Sequence, residues 1–400
     1  MKFVFEPSER PSGVSSENWN DWAWQLRQSL KTESDFTSAG FHLSANEKEG
    51  FSGGGKVFQI RTTPYYASLA HGSLEMDPIR RILMPTAAEL SHGQQSMLDP
   101  LGEKRNNPAP RIIHRYPDRV LFLATDTCSV YCRYCTRKHF TGQDEAFVRS
   151  GDYDKALSYI KSHTGLREVI LSGGDPLTLG DTVLDRVLSD LRSIEHVEII
   201  RIGTRMPVVC PMRVTPALAR VIQKYQPVYV MTHFNHPREL TMEAAASLRL
   251  LADHGTPLFN QLVLLNGVNN HPAVIQALSR RLLFLRTKPY YMFQCDPSEG
   301  TDHLRTSVED SIEIQRELWG RLSGLAMPNL SLDIPDGGGK AAYVPNFEVA
   351  IEGSTRKFVG WDGVAAEYVS PPSTSILKPL DAENYFIEWE SLKSAKDSRS

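Results

Sequence analysis

From about residue 119 to residue 333 the sequence alternates apolar runs of strand length with stretches of helical period. The runs are 119–125, 168–173, 197–204, 228–234, 258–266, 289–295 and 330–334. Between them lie amphipathic stretches such as Asp154–His163, Leu184–Ser193, Thr215–Tyr225, Met242–His254, Pro272–Leu285 and Ser307–Leu325. Continuously apolar strands need both faces of their sheet covered, which favours a parallel sheet flanked by helices. Six such units and a seventh strand predict an α/β fold, a partial (β/α)6 TIM-like barrel rather than a doubly wound sheet. Barrels of this kind carry their chemistry where the strands end. Polar and Gly-rich stretches fall there: Ser172-Gly-Gly-Asp-Pro176, Gly203-Thr-Arg205, Thr232-His-Phe-Asn-His236, Asn266-Gly-Val-Asn269, Cys295-Asp296 and Asp333-Ile-Pro-Asp-Gly337.

After the first run comes Cys128-Ser-Val-Tyr-Cys132-Arg-Tyr-Cys135, a C-x3-C-x2-C triplet, in a chain with only two further cysteines, Cys210 and Cys295. An odd set of thiols on one short loop fits a metal centre better than a disulfide framework. Three thiolates can hold three irons of a 4Fe–4S cube, leaving the fourth iron open to a ligand. A zinc knuckle would show a second ligand pair at regular spacing, whereas the nearest histidine, His139, stands only four residues beyond Cys135. Cys210 and Cys295 read as core thiols.

Size and charge narrow the class. Four hundred residues with a net charge of −3 give no general attraction to nucleic acid or to an anionic membrane. No apolar run approaches the ~20 residues that cross a bilayer, and Met1-Lys-Phe-Val-Phe-Glu-Pro turns polar too soon for a signal peptide. Few, clustered thiols suit a reducing cytoplasm.

Residues 1–108 read as a mostly helical extension: Trp19, Trp22 and Trp24 as packing, a glycine break at Gly53-Gly54-Gly55, helices near Pro64–Leu69 and Thr86–Ser91, and a polar link at Asn106-Asn-Pro-Ala-Pro110. Residues 109–340 form the barrel, and 341–400 a C-terminal extension that reads as disordered beyond Leu392. Two further strings bear on chemistry. Gly337-Gly-Gly-Lys340 fails the phosphate-loop pattern because Ala341 follows the lysine. A glycine run can instead seat a lysine amine in a barrel mouth as a Schiff-base partner for pyridoxal phosphate, although taken alone it reads more readily as a solvated turn. In Arg115-Tyr-Pro-Asp-Arg119, two guanidiniums four residues apart suit a phosphate dianion, and a charged turn is the simpler alternative.

Paired with Ser172-Gly173-Gly174-Asp175, the triplet resembles the radical S-adenosylmethionine (SAM) enzymes. Taken with Thr63-Pro-Tyr-Tyr-Ala-Ser68, His114–Phe122, Thr232-His-Phe-Asn-His-Pro237 and Asp333–Lys340, in order from about residue 20 to 345, the chain resembles the lysine 2,3-aminomutase family. The resemblance implies a 4Fe–4S cluster on Cys128, Cys132 and Cys135, and S-adenosylmethionine on its open iron. It implies pyridoxal 5′-phosphate on Lys340, with Arg115, Tyr116 and Arg119 at the phosphate. Ser172, Gly173, Gly174, Asp175, His233 and Gln261 would then contact cofactors. Arg137 would clamp the substrate α-carboxylate, and Asp296 and Asp333 the distal ammonium of lysine. A carboxylate pair suits a cation in a desolvated pocket.

The implied reaction interconverts L-α-lysine and L-β-lysine. It needs an external one-electron reductant of flavodoxin or ferredoxin type, and a dimer or tetramer is implied as well. No cysteine follows Cys295, so the structural zinc site of some relatives is expected to be missing. Three other readings share parts of the pattern. They are an arginine 2,3-aminomutase, a β-lysine-forming enzyme for elongation factor P (typically shorter, with Phe where this chain has Thr136), and a radical SAM enzyme without pyridoxal phosphate.

Overall fold

The computed structural model describes residues 3–371 apart from 92, 94, 139 and 143–146. His139 and the tail beyond Leu392 therefore lie outside the described residues. The main sheet has nine strands in sequence order: β1 (Ile112–Tyr116), β2 (Arg119–Thr125), β3 (Glu168–Gly173), β4 (Ile199–Gly203), β5 (Val228–Thr232), β6 (Leu258–Leu264), β7 (Thr287–Gln294), β8 (Asn329–Ile334) and β9 (Gly339–Ala342). Strands β2 to β8 are parallel, and they match the seven apolar runs of the sequence. Each crossover supplies a helix whose apolar stripe covers the sheet. In Asp181–Arg192, Leu184, Val187, Leu188 and Leu191 are buried, the i, i+3, i+4, i+7 spacing of one helix face.

Four features depart from the sequence expectation. Strands β1 and β9 are antiparallel edge strands that no periodicity marked. Arg115 and Tyr116 thus lie in β1 and Arg119 opens β2, so this segment is a hairpin rather than a solvated turn. The glycines at 53–55 do not break structure, since they fall inside the helix Ala45–Val57. There the lack of side chains is a packing device: a Cβ on Gly50 would meet the Pro85 carbonyl carbon at 2.5 Å, and one on Gly53 the Leu90 side chain at 2.6 Å. The helix expected over Ser307–Leu325 stops at Leu318, where Trp319 is extended and Gly320 turns left-handed at φ +72°. Finally, the segment after 341 contains a three-stranded antiparallel meander, β10 (Glu348–Glu352), β11 (Thr355–Val359) and β12 (Ala365–Val369).

The position of the cysteine loop follows from a close backbone approach at the ends of β2 and β3. Gly173 has φ +118°, and a Cβ there would lie 2.1 Å from the Thr125 carbonyl oxygen. A Cβ on Gly174 would lie 2.2 Å from the Thr127 oxygen. The Gly174 and Asp175 amides donate to those two carbonyls at 2.6 and 2.9 Å. What these glycines admit is therefore the backbone leading into Cys128. Gly173→Ala is expected to cost about 2–4 kcal/mol of stability through strain and overpacking, measured by denaturant unfolding. A loss below ~0.5 kcal/mol would contradict this account.

Candidate functional site

One cavity of about 800 Å³ opens inside the sheet, within the range of cofactor and ligand sites. Its walls include all three cysteines of the triplet, together with Arg115, Tyr116, Arg119, Arg137, Ser172, Gly173, Gly174, Asp175, His233, Gln261, Asp296, Asp333 and Lys340. The sequence-selected residues thus share a single enclosure. They form two charge groups within it.

The first group surrounds Asp333. Cross-strand register places Asp333 of β8 directly opposite Lys340 of β9. The Lys340 Nζ donates to both carboxylate oxygens, at 3.1 and 2.8 Å, and Arg115 donates to Oδ1 at 3.0 Å. The glycine run is the tight turn behind this pairing, with Gly337 and Gly339 at φ +78° and +92°. The Tyr116 hydroxyl accepts from the Lys340 amide at 3.0 Å, and Arg119 covers the Tyr116 ring at 4.0 Å. Lys340 Nζ also lies 4.7 Å from the centre of the Phe293 ring. Asp296 stands beside this group with no hydrogen bond to its carboxylate among the described residues. Burial, then repulsion from Asp333, pushes its pKa up to about 7.

The second group surrounds the triplet. Burial raises the Cys128 and Cys135 thiols, and the neighbouring thiols add to the effect. Among the described residues no group of three or more His, Cys, Asp or Glu side chains gathers tightly enough for a single ion. The thiols share a cavity wall rather than a point. The Arg137 Nε donates to both Glu103 oxygens, at 2.9 and 3.1 Å, and its Nη1 to the Ser172 hydroxyl at 2.9 Å. Burial opposes the Arg137 charge, and Glu103 with the thiols more than offsets it. His233 is half-buried with an inaccessible, unpartnered Nε2, and is pushed down to about 3 by desolvation and by Arg205, so it is neutral near pH 7.

One expected contact changes character. The Asp175 Oδ1 accepts from the Leu177 amide and the Thr204 hydroxyl, and Oδ2 from the Arg205 amide. Its oxygens tie the loops after β3 and β4 together instead of offering a free carboxylate. Sequence reasoning missed two residues of the site. Glu103 lay in a segment with no periodic signal, and Arg205 stood in a rim stretch that gave no hint of its partners.

Residues 122–275 match the radical SAM superfamily. The chain is 43% identical to an L-lysine 2,3-aminomutase of Clostridium subterminale, covering 90% of this chain and 86% of that one. It is 40% identical to a Bacillus subtilis protein of the same name, over 93% of this chain and 78% of that one. A glutamate 2,3-aminomutase of Clostridioides difficile is 39% identical, over 91% and 86%. The chain belongs to the lysine 2,3-aminomutase family. As a radical SAM member it has a fold associated with a 4Fe–4S cluster and S-adenosylmethionine, and the thiol-lined wall fits that donor requirement. Among the described residues no helix is long and apolar enough to cross a membrane.

The acid pair of this family member should leave a thermodynamic trace. Folded, Asp296 keeps its proton up to about pH 7, against an ordinary value of 3.8. The stability that this proton gives is full below pH 3.8 and is lost as pH rises to about 7. Asp296→Asn has no proton to lose. It is expected to be about 2–4 kcal/mol more stable than wild type at pH 8 and equal to it near pH 4, by thermal unfolding of the ligand-free protein. Parallel pH curves for the two proteins would refute the assignment.

Proposed function

We propose that this chain is a lysine 2,3-aminomutase, moving the α-amino group of L-lysine to Cβ and back. The observation that carries the reading is the acidic pair Asp296 and Asp333 in the cavity that also holds the thiol triplet, Lys340 and Arg137. When bound, the cluster with S-adenosylmethionine supplies a carbon radical able to remove a Cβ hydrogen, while pyridoxal phosphate supplies a conjugated ring that carries the nitrogen and spreads the unpaired spin.

The chain's own residues then bind and orient. Lys340 is the covalent anchor for the aldehyde, and the Phe293 and Tyr116 rings beside it give the pyridine ring apolar walls. Arg119 and Arg115 offer guanidiniums to the phosphate in the bidentate manner that suits phosphate oxygens. Arg137 is assigned to the substrate carboxylate. With its Nε committed to Glu103, the guanidinium is held in one orientation, which favours a fixed substrate pose. Ser172, Gly173, Gly174, His233 and Gln261 are assigned to the S-adenosylmethionine side, and Asp175 to shaping that wall.

Asp333 and Asp296 are assigned to the distal ammonium. In the ligand-free arrangement Asp333 holds the ammonium of Lys340, itself a lysine side chain, which is direct support for its fit to that group. A distal carboxylate, as in glutamate, would meet two acids here and be repelled. Arginine carries its charge farther from Cβ on a planar group, and the compact two-acid arrangement favours an ammonium. Assembly into a homo-oligomer belongs to the same reading. The meander leaves Val349, Ile351, Trp361, Val364 and Tyr368 exposed, an apolar surface of the kind that contacts another chain.

The test is anaerobic turnover after iron–sulfur reconstitution, with a chemical reductant, S-adenosylmethionine, pyridoxal phosphate and a panel of L-lysine, L-arginine and L-glutamate. β-Lysine is the expected product. Asp296→Asn should lower kcat/KM for lysine by about 100-fold or more while keeping its iron, since one partner of a desolvated charge pair is gone. Lys340→Ala should lose the visible absorbance of lysine-bound pyridoxal. Formation of β-arginine without β-lysine would refute the substrate assignment, and turnover by Lys340→Ala would refute the pyridoxal one.

A further inference from the structure

Two sequence strings, Thr63–Ser68, which the proposed reaction leaves unused, and Thr232–Pro237, of which it uses only the His233 side chain, meet at one side chain. Arg205 follows β4 and is buried. Its Nη2 donates to the Tyr66 hydroxyl at 2.9 Å and to Glu239 Oε1 at 2.8 Å, and its Nε to the His233 carbonyl at 3.3 Å. Its Nη1 lies 2.9 Å from the sulfur of Cys132. Tyr66 in turn donates to Glu239 at 2.7 Å. The second Glu239 oxygen accepts from the amides of Asn235 and His236 at 2.5 and 2.9 Å.

An ion pair that merely joined loops would be complete with Glu239 and Tyr66. Here the remaining fork of a fixed, planar cation is directed at a thiol of the triplet. The thiols are not equivalent in this respect, because among the described residues Cys135 receives the Arg137 amide, at 3.4 Å, and no guanidinium. A guanidinium braced on three sides cannot swing away when the sulfur becomes metal-bound. Partners that orient and polarise a metal ligand tune the centre they surround, and hydrogen bonds to cluster sulfurs are among the factors that set its potential. Withdrawing electron density from a thiolate favours the reduced cluster.

We propose that Arg205, braced by Glu239 and Tyr66, is a positioning residue that donates a charge-assisted hydrogen bond to the Cys132 sulfur and thereby raises the reduction potential of the cluster. This rests on the reading that the triplet holds a 4Fe–4S cube. The step it favours is a one-electron reduction. An external reductant supplies the electron to the oxidised cube, and that electron then breaks a carbon–sulfur bond of S-adenosylmethionine, leaving methionine and a 5′-deoxyadenosyl radical.

The experiment compares full-length wild type with Arg205→Lys and with the paired variant Arg205→Met, Glu239→Gln, all reconstituted anaerobically. The pairing avoids leaving a buried carboxylate without its cation. Iron and sulfide per chain are measured first, then the cluster midpoint by potentiometric titration with electron paramagnetic resonance. Both variants are expected to load a cluster whose midpoint is more negative than wild type, the paired variant more so. A several-fold smaller reduced fraction at a fixed poise is then expected. Loaded variants with the wild-type midpoint would overturn the proposal. If the paired variant does not fold, the Arg205→Lys midpoint decides by the same criterion. A wild-type protein that binds no cluster would remove the cluster reading itself, a result distinct from an unshifted midpoint.

Discussion

The nine-stranded sheet does not close through backbone pairing: β1 and β9 are its two edges, and one carboxylate joins them. Asp333 takes Arg115 from β1 and Lys340 from β9, while the Tyr116 hydroxyl caps the Lys340 amide across the same gap. A sheet edge is a row of unsatisfied donors and acceptors that must be covered or paired. Here side-chain charge does what a further ladder would do in a complete barrel. The segment before β1 seals the seam, with the Asp336 amide donating to the Pro100 carbonyl at 3.0 Å and Gly102 packed so closely that a Cβ would meet Asp336 at 2.8 Å. The cavity wall at this seam is therefore made of ion pairs rather than of a strand ladder.

The opposite wall depends on the N-terminal helices. Arg133, between Cys132 and Tyr134, is fully buried and donates to Glu89 Oε1 at 2.8 Å, with a second bond to Oε2. Its amide donates to the Ile82 carbonyl, and the Tyr131 amide to Arg61. A loop bearing three cysteines has no ladder of its own to hold it. Buried pairs of this kind contribute little net stability but make displacement of either partner expensive. The extension therefore fixes the cysteine loop, and through Tyr66 and Arg205 it reaches one of the thiols.

How much of this was legible in the sequence follows from how local each signal is. The seven parallel strands and their helices were readable because burial on both faces forces long apolar runs, and helix periodicity needs only neighbours. The edges β1 and β9 are only five and four residues long, and their strand character comes from pairing with β2 and β8, so no run announced them. The meander packs no buried residue, and its apolar Val349 and Ile351 face solvent, so its pattern pointed to no core. The glycines at 53–55 misled because glycine signals a turn until the backbone of Pro85 and Thr86 arrives against the neighbouring Gly50 of the same helix. Of the site, the cysteines, Lys340, Arg137, Asp296 and Asp333 stood in strings whose residue types carry chemistry. Their partners Glu103, Glu239 and Arg205 did not, since a buried counter-charge is defined only by what the fold brings to it.

The two acids of the site are unequal, and the inequality bears on what it is built to hold. Asp333 bonds two cations of the chain, whereas among the described residues none is bonded to Asp296, which burial and Asp333 drive toward its neutral form against the weaker pull of Lys340, Arg115 and Arg305. If the pair served the fold alone, an amide at 296 would serve it better, because a carboxyl that must shed its proton in a buried place destabilises the folded state above its pKa. A cation arriving between the acids reverses that balance: it gives Asp296 a counter-charge and shares Asp333 with Arg115. Asp296 is thus the acid without a bonded cation among the described residues, in a cavity that also presents the Arg137 guanidinium held by Glu103. A ligand with a carboxylate at one end and an ammonium at the other answers both demands.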